Sequence, residues 1–154
     1  MLKKLNKRRE GFTIVEVLIV LAIAGVIMLV IFLAVPALQR NSRNTQRRSD
    51  VSHLAGIINE YAANHAGTLP TGAQLVTATS GEKWALMTAP VAGDVIASGT
   101  TTLTGTTTSM KVHPGTICDQ TANTLSATGV SAKAFSVEYQ VETSGGADPA
   151  CISG

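Results

Sequence analysis

The sequence predicts an α+β protein in which a long N-terminal helix packs on a small antiparallel sheet. Three observations carry this prediction. An apolar stretch runs from Phe12 to Val35 with a single charge inside it, and apolar residues then recur at helical spacing between Val51 and Ala62. Near the C-terminus, the segment Ala134–Glu142 alternates apolar and polar side chains, which is typical of a strand.

The composition excludes several classes of protein. The chain has 154 residues, a net charge of +2 and only 14% charged residues, which argues against disorder and against a general nucleic-acid binder. Residues 1–50 hold nine of the twelve Lys and Arg and three of the ten acids, which gives this segment a net charge of +6. Residues 51–154 carry a net charge of −4. Two cysteines alone make neither a zinc site nor a dense disulfide scaffold.

The first element is predicted to span a membrane. Nineteen residues from Val17 to Val35 carry no charge, and as a helix they extend roughly 28 Å, enough to cross the hydrocarbon core of a bilayer. The stretch is longer than the apolar region of a secretory signal peptide, and no small-x-small cleavage site follows it. Five Lys and Arg precede the span and four follow it, a slight bias toward a cytoplasmic N-terminus.

The start of this stretch carries a recognisable motif. The run from Glu10 to Val20 resembles the prepilin cleavage motif of type IV pilins and pseudopilins, with a basic leader, Gly11 before the cut, Phe12 after it, and Glu16 as fifth residue of the mature chain. The resemblance covers about the first 35 residues. It implies that a membrane aspartic peptidase removes the leader on the cytoplasmic side and N-methylates Phe12.

On this basis we expect four segments along the chain. They are a leader (1–11), a transmembrane and filament-core helix (12–36), an amphipathic second half of the helix (37–66) and a β-rich domain (67–154).

Glu16 is a carboxylate inside an apolar span, which makes it a candidate functional residue. One interpretation places it at the level of the lipid headgroups, where it stays hydrated. The other makes it an assembly device, in which Glu16 of one chain neutralises the Phe12 amine of a neighbour. A desolvated charge is tolerated only when paired, so this contact would fix axial register more than add stability.

Gly25 and Pro36 are predicted to weaken the helix. Pro36 lacks a backbone donor and crowds the carbonyl of Phe32, so a kink or local unwinding is expected near residues 32–36. The two residues resemble the helix-breaking Gly and Pro that let pilin helices melt on polymerisation.

The second half of the helix begins with four arginines between Arg40 and Arg48. They are interpreted as a solvated stretch near lipid phosphates, as a surface facing acidic groups of an adjacent subunit, or, weakly, as a DNA-binding patch. The helix is expected to extend to about Ala66, with Gly67 as its C-cap and Pro70 preventing continuation.

The C-terminal domain is rich in Thr, Gly, Ser and Ala and contains repeated turn signals, among them Gly145-Gly146. In Ala134–Glu142 the apolar side chains predict one buried face and the polar ones a solvent face. Weaker strand candidates are Trp84–Met87, Val95–Ala97, Thr100–Thr107 and Lys111–Val112.

Two cysteines, Cys118 and Cys151, enclose 32 residues. In a small extracytoplasmic domain they suggest a disulfide, with a reduced pair as the alternative. The bridge would resemble the disulfide-bounded C-terminal region of many type IV pilins. His53, His65 and His113 lack metal-ligand spacing, and no catalytic constellation, metal site or cofactor is expected.

The resemblance implies a non-enzymatic pilin that sits in the cytoplasmic membrane and then polymerises into an extracellular helical filament for adhesion, twitching motility or DNA uptake. Its partners would be other copies of the chain, the prepilin peptidase, the assembly platform and its ATPase motor. Nucleic acid is a partner without support in the sequence. The alternatives are a pseudopilin of a type II secretion system, a minor pilin of a DNA-uptake fibre, and, from a different class, a monomeric membrane-anchored binding domain.

Overall fold

A computed structural model describes residues 11–95, 108–119, 124–126 and 131–154. Its first element is one helix, α1 (Ile14–Asn64), of 51 residues. The chain divides into two compact units between Leu38 and Gln39. In the first unit every described residue is exposed, and the apolar start of α1 is long and apolar enough to cross a membrane.

The helix α1 confirms the predicted long N-terminal helix, with an end two residues before Ala66. After Asn64 the chain turns, Ala66 takes a φ of 55° and Gly67 a φ of 82°. The Gly67 amide donates to the carbonyl of Ala62 at 2.7 Å, which is the closing bond of a Schellman motif.

The helix is continuous through Gly25 and Pro36 in this conformation. The unwinding expected near residues 32–36 is therefore not seen here, and melting on polymerisation stays a prediction.

The second unit contains a short helix and two antiparallel sheets. The elements after α1 are α2 (Gly72–Ala78), a 3₁₀ turn (Ala92–Asp94), β1 (Lys111–Pro114), β2 (Ile117–Asp119), β3 (Thr124–Ser126), β4 (Phe135–Thr143) and β5 (Gly146–Ser153). The strand order is β1-β4-β5 in one sheet, and β2 pairs with β3 in the other. The predicted turn at Gly145 connects β4 to β5, a hairpin in register from Thr143↔Gly146 to Ser136↔Ser153.

The core lies between α1 and β4, as the helical and alternating patterns predicted. Val51, Leu54 and Ile58 of α1 are fully buried together with Phe135 and Val137 of β4. Leu75 of α2 and Met110, before β1, also join this cluster.

Of the weaker strand candidates, Lys111–Val112 is confirmed as the start of β1. Trp84–Met87 is wrong: this segment is a bend whose amides bind a carboxylate of α1. Val95 forms only a single bridge to Val112, while residues 96 and 97 and the candidate Thr100–Thr107 lie outside the described residues.

The predicted solvent face of β4 is also wrong. Ser136, Glu138 and Gln140 are 0%, 2% and 4% exposed, as buried as the apolar side chains between them. The reason is the small second sheet: β2 and β3 contact β4 and β5. The polar side chains are accommodated because they find partners: Thr116 Oγ1 lies 2.5 Å from Ser136 Oγ, and His113 Nε2 lies 3.2 Å from Glu138 Oε2.

Candidate processing and assembly site

The candidate cleavage site precedes α1. Gly11 and Phe12 lie outside regular secondary structure, and Phe12 is 89% exposed. Nothing in the described chain lies within 4 Å of the position that a Cβ on Gly11 would occupy. No described residue therefore covers the peptide bond between Gly11 and Phe12, and a protease that acts at a membrane surface needs such an accessible bond.

Thr13 and Glu16 together form the start of α1. The Thr13 amide donates to Glu16 Oε2 at 2.8 Å, and the Glu16 amide donates to Thr13 Oγ1 at 3.2 Å. These reciprocal bonds are a capping box, which satisfies two amides that a helix start leaves without partners. Sequence reasoning missed Thr13, although the spacing Thr-x-x-Glu at the head of an apolar run is its signature.

The capping box fixes where the Glu16 carboxylate lies. It is turned back toward the helix start, the end at which cleavage after Gly11 would create an amine. Both Thr13 bonds, including that of the hydroxyl at 2.7 Å, go to Oε2. Among the described residues Oε1 has no hydrogen-bond partner, so one oxygen stays available to a donor from another chain.

Two of the arginines that follow the span are bound within their own domain. Arg43 donates to Glu142 of β4 through Nε at 2.9 Å and through a terminal nitrogen at 2.5 Å, and Arg47 donates to the other oxygen of the same carboxylate. Asn44, between them, exchanges two bonds of 2.8 Å with the Glu142 backbone. These contacts attach α1 to the end of β4 and correct all three interpretations of the cluster for Arg43 and Arg47.

The electrostatics of Glu142 follow from this geometry. Hydrogen bonds from Arg43 first and Arg47 second hold the pKa of Glu142 at about 2, below its ordinary value of 4.5. The Arg47 side chain is 4% exposed, and that of Glu142 is 22% exposed. Arg43, Arg47 and Glu142 thus form a partly buried charge cluster. Its geometry affects the stability of the domain more than the geometry of an exposed surface ion pair would.

Asp50, one turn further along α1, is buried in a cradle of backbone amides. It accepts hydrogen bonds from Ala85, Leu86 and Met87 at 2.9–3.1 Å and is 6% exposed. Burial alone would raise the pKa of Asp50, but the three amides outweigh it and lower the pKa below the ordinary value. The apolar pattern of 84–87 gave no sign of this role.

Cys118 of β2 and Cys151 of β5 are joined in a disulfide, with their Cα atoms 5.8 Å apart. Cys151 lies directly opposite Glu138 in the β4–β5 register, so it belongs to the polar face of the sheet. The bridge holds β2 next to that face, which explains why the face is covered.

The histidines do not converge. His53 Nε2 lies 3.4 Å from Glu82, His65 stacks on Tyr61 with ring centroids 3.9 Å apart, and His113 pairs with Glu138 inside the sheet. Within the described ranges no group of three or more His, Cys, Asp or Glu side chains is placed to hold a metal ion.

The described residues thus define an α+β protein whose first helix begins as an exposed apolar segment. A carboxylate near the start of this segment caps the helix. Residues 6–32 match the family model described as the prokaryotic N-terminal methylation motif, which is typical of type IV pilins and pseudopilins. No curated protein and no solved structure matches the chain. The chain therefore carries a motif typical of type IV pilins and pseudopilins, and its α+β fold is pilin-like.

Proposed function

We propose that the chain is the structural subunit of a type IV pilus, inserted in the cytoplasmic membrane and then polymerised into an extracellular filament. The prepilin peptidase would cut between Gly11 and Phe12 and methylate the new amine. An assembly platform with its ATPase motor would then extract the chain from the membrane. The observation that carries this proposal is the Glu16 carboxylate at the head of an otherwise apolar, fully exposed helical segment.

The exposed segment supports polymerisation for a physical reason. Lipid tails and apolar side chains are comparable solvents, so leaving the membrane for a bundle of like helices changes little hydrophobic free energy. Packing and paired polar groups must then decide the association. An ammonium on Phe12 and the open Oε1 of Glu16 are such a pair, and a mismatch of register leaves both charges without partners.

The geometry allows the charge of Glu16 to be tested apart from its cap. Glu16→Gln keeps an oxygen that can accept from the Thr13 amide but removes the charge, whereas Thr13→Val removes the hydroxyl and keeps the carboxylate. We expect Glu16→Gln to be cleaved and inserted but to yield at least tenfold fewer sheared fibres. Thr13→Val should still yield fibres.

Electron microscopy and immunoblotting of sheared fibres measure both results. If Glu16→Gln assembles as well as the unmodified chain, the charge of Glu16 does not set the register of assembly. Abundant fibres made of this chain favour a major pilin. A processed chain that stays in the membrane favours the pseudopilin or minor pilin, and an unprocessed chain favours a monomeric anchored domain.

A further inference from the structure

An acidic cavity lies beside the last turns of α1, and the filament role does not yet account for it. It has a volume of about 300 Å³, and the residues that line it include Glu60, Glu82, Asn64, Tyr61 and His65. Glu60 is exposed and has no ion-pair partner among the described residues, and the Glu82 side chain is 43% exposed, with one carboxylate oxygen 3.4 Å from His53 Nε2. No lysine or arginine is among the residues of the described chain that line it.

These groups match the chemistry of a guanidinium. Two carboxylates accept the forked N–H donors of arginine, which a point charge such as lysine uses less well. Tyr61 and His65, whose rings stack with an interplanar angle of 6°, also line the cavity and supply aromatic surface against which a planar cation can pack. The cavity is therefore suited to one arginine side chain.

The same helix carries an arginine whose terminal nitrogens have no partner among the described residues and can therefore bind carboxylates of another chain. Arg43 and Arg47 are bound to Glu142, whereas Arg48 is exposed and uses only Nε, at 3.4 Å from the Tyr139 hydroxyl. Its terminal nitrogens have no partner among the described residues. Arg48 precedes Glu60 by twelve residues, which on a helix is about 18 Å along the axis and about 120° around it. The two side chains therefore cannot meet within one chain.

We propose that the acidic cavity receives Arg48 of a second copy of this chain. Complementary charges on different flanks of one helix, at different heights, allow a heterologous contact, and repetition of such a contact generates an open helical assembly. The contact rests on the proposed filament function and adds to it a register outside the membrane, with neighbours displaced by about 18 Å along the helix.

Cysteine cross-linking tests this contact in assembled fibres. The double variant Arg48→Cys with Glu60→Cys cannot close a bridge within one chain, because a disulfide needs Cα atoms within about 7 Å. Under oxidation, fibres of the double variant should give a ladder of covalent multimers on non-reducing gels. Each single variant should give no ladder, since one new cysteine allows a dimer at most. Differently tagged single variants, expressed together, should give mixed dimers.

Each result decides something different. Fibres of the double variant that are visible by electron microscopy but show neither ladder nor mixed dimers overturn this contact and leave the filament role intact. Dimers from the single variants in place of mixed dimers also overturn it, because they indicate a symmetric contact. If the unmodified chain forms no fibres, the proposed function fails, and this inference fails with it.

Discussion

Replacing Glu142 by glutamine removes the charge that attaches α1 to β4 while keeping the size of the side chain. The pKa of Glu142 is about 2, against an ordinary 4.5. Each unit of pKa corresponds to about 1.4 kcal/mol, so Arg43 and Arg47 favour the ionised carboxylate by about 3 kcal/mol. Because the Glu142 side chain is 22% exposed and solvent screens part of this, we expect Glu142→Gln to lower the free energy of unfolding by about 2 kcal/mol.

The assay is urea unfolding of the full chain in detergent micelles, followed by the fluorescence of Trp84. Trp84 is the single tryptophan and packs on the core, so it reports on the domain that contains Glu142. Glu60→Gln is the matched control, since Glu60 is an exposed glutamate without an ion pair among the described residues. We expect the control to change the free energy by less than about 0.5 kcal/mol.

The dependence of the free energy of unfolding on pH tests whether the charge of Glu142 is the source of the effect. A carboxyl group whose pKa is lowered by folding stabilises the protein above its unfolded pKa, and that stabilisation is lost as the pH falls through the folded pKa. The contribution of Glu142 should therefore be complete above about pH 5 and decline between 4.5 and about 2. The curves of the unmodified chain and Glu142→Gln should converge over this interval. A difference that is the same at pH 7 and pH 2 would show that the charge is not its source.

Three further predictions use the same unfolding assay or the fibre assay. Asp50→Asn should lower the free energy of unfolding by about 1–3 kcal/mol, because an amide nitrogen then faces backbone donors in a buried cradle; an unchanged urea midpoint would contradict the cradle. Cys118→Ser with Cys151→Ser should cost about 3–4 kcal/mol, and non-reducing mass spectrometry of the unmodified chain should find no free thiol. Pro36→Ala should stiffen α1 and reduce fibre yield, if melting of this segment accompanies polymerisation; equal yield would argue against melting.

The elements that the sequence predicted correctly have a local signature. The spacing of Val51, Leu54 and Ile58 marked the buried face of α1, and the alternation around Phe135 and Val137 marked β4. Both patterns are imposed by the geometry of one element against one core, so a short window of sequence is enough to see them.

The errors concern contacts between residues far apart in the chain. Glu138 and Gln140 were expected in solvent because the strand pattern contains no sign of the second sheet that β2 and β3 form above them. Likewise, the arginines near residue 45 were interpreted without Glu142, which is 95 residues beyond Arg47. Long-range pairs of this kind are fixed by the tertiary fold and leave no periodic trace.

The candidate site differs from the fold in which of its features could be predicted from the sequence. Gly11, Phe12 and Glu16 were predicted from their order along the chain, because the resemblance to the prepilin motif rests on local sequence. The capping role of Thr13 was available from the same residues and was missed. The acidic cavity near Glu60 was not accessible to sequence reasoning, since α1 and the segment that follows α2 meet there only in the folded domain.

Whether the mature protein begins at Phe12 can be determined by intact-mass measurement and N-terminal sequencing of the protein from its native membrane. We expect a chain that lacks Met1–Gly11 and starts with an N-methylated Phe12. A chain that retains Met1, or one cut at another bond, would contradict this expectation.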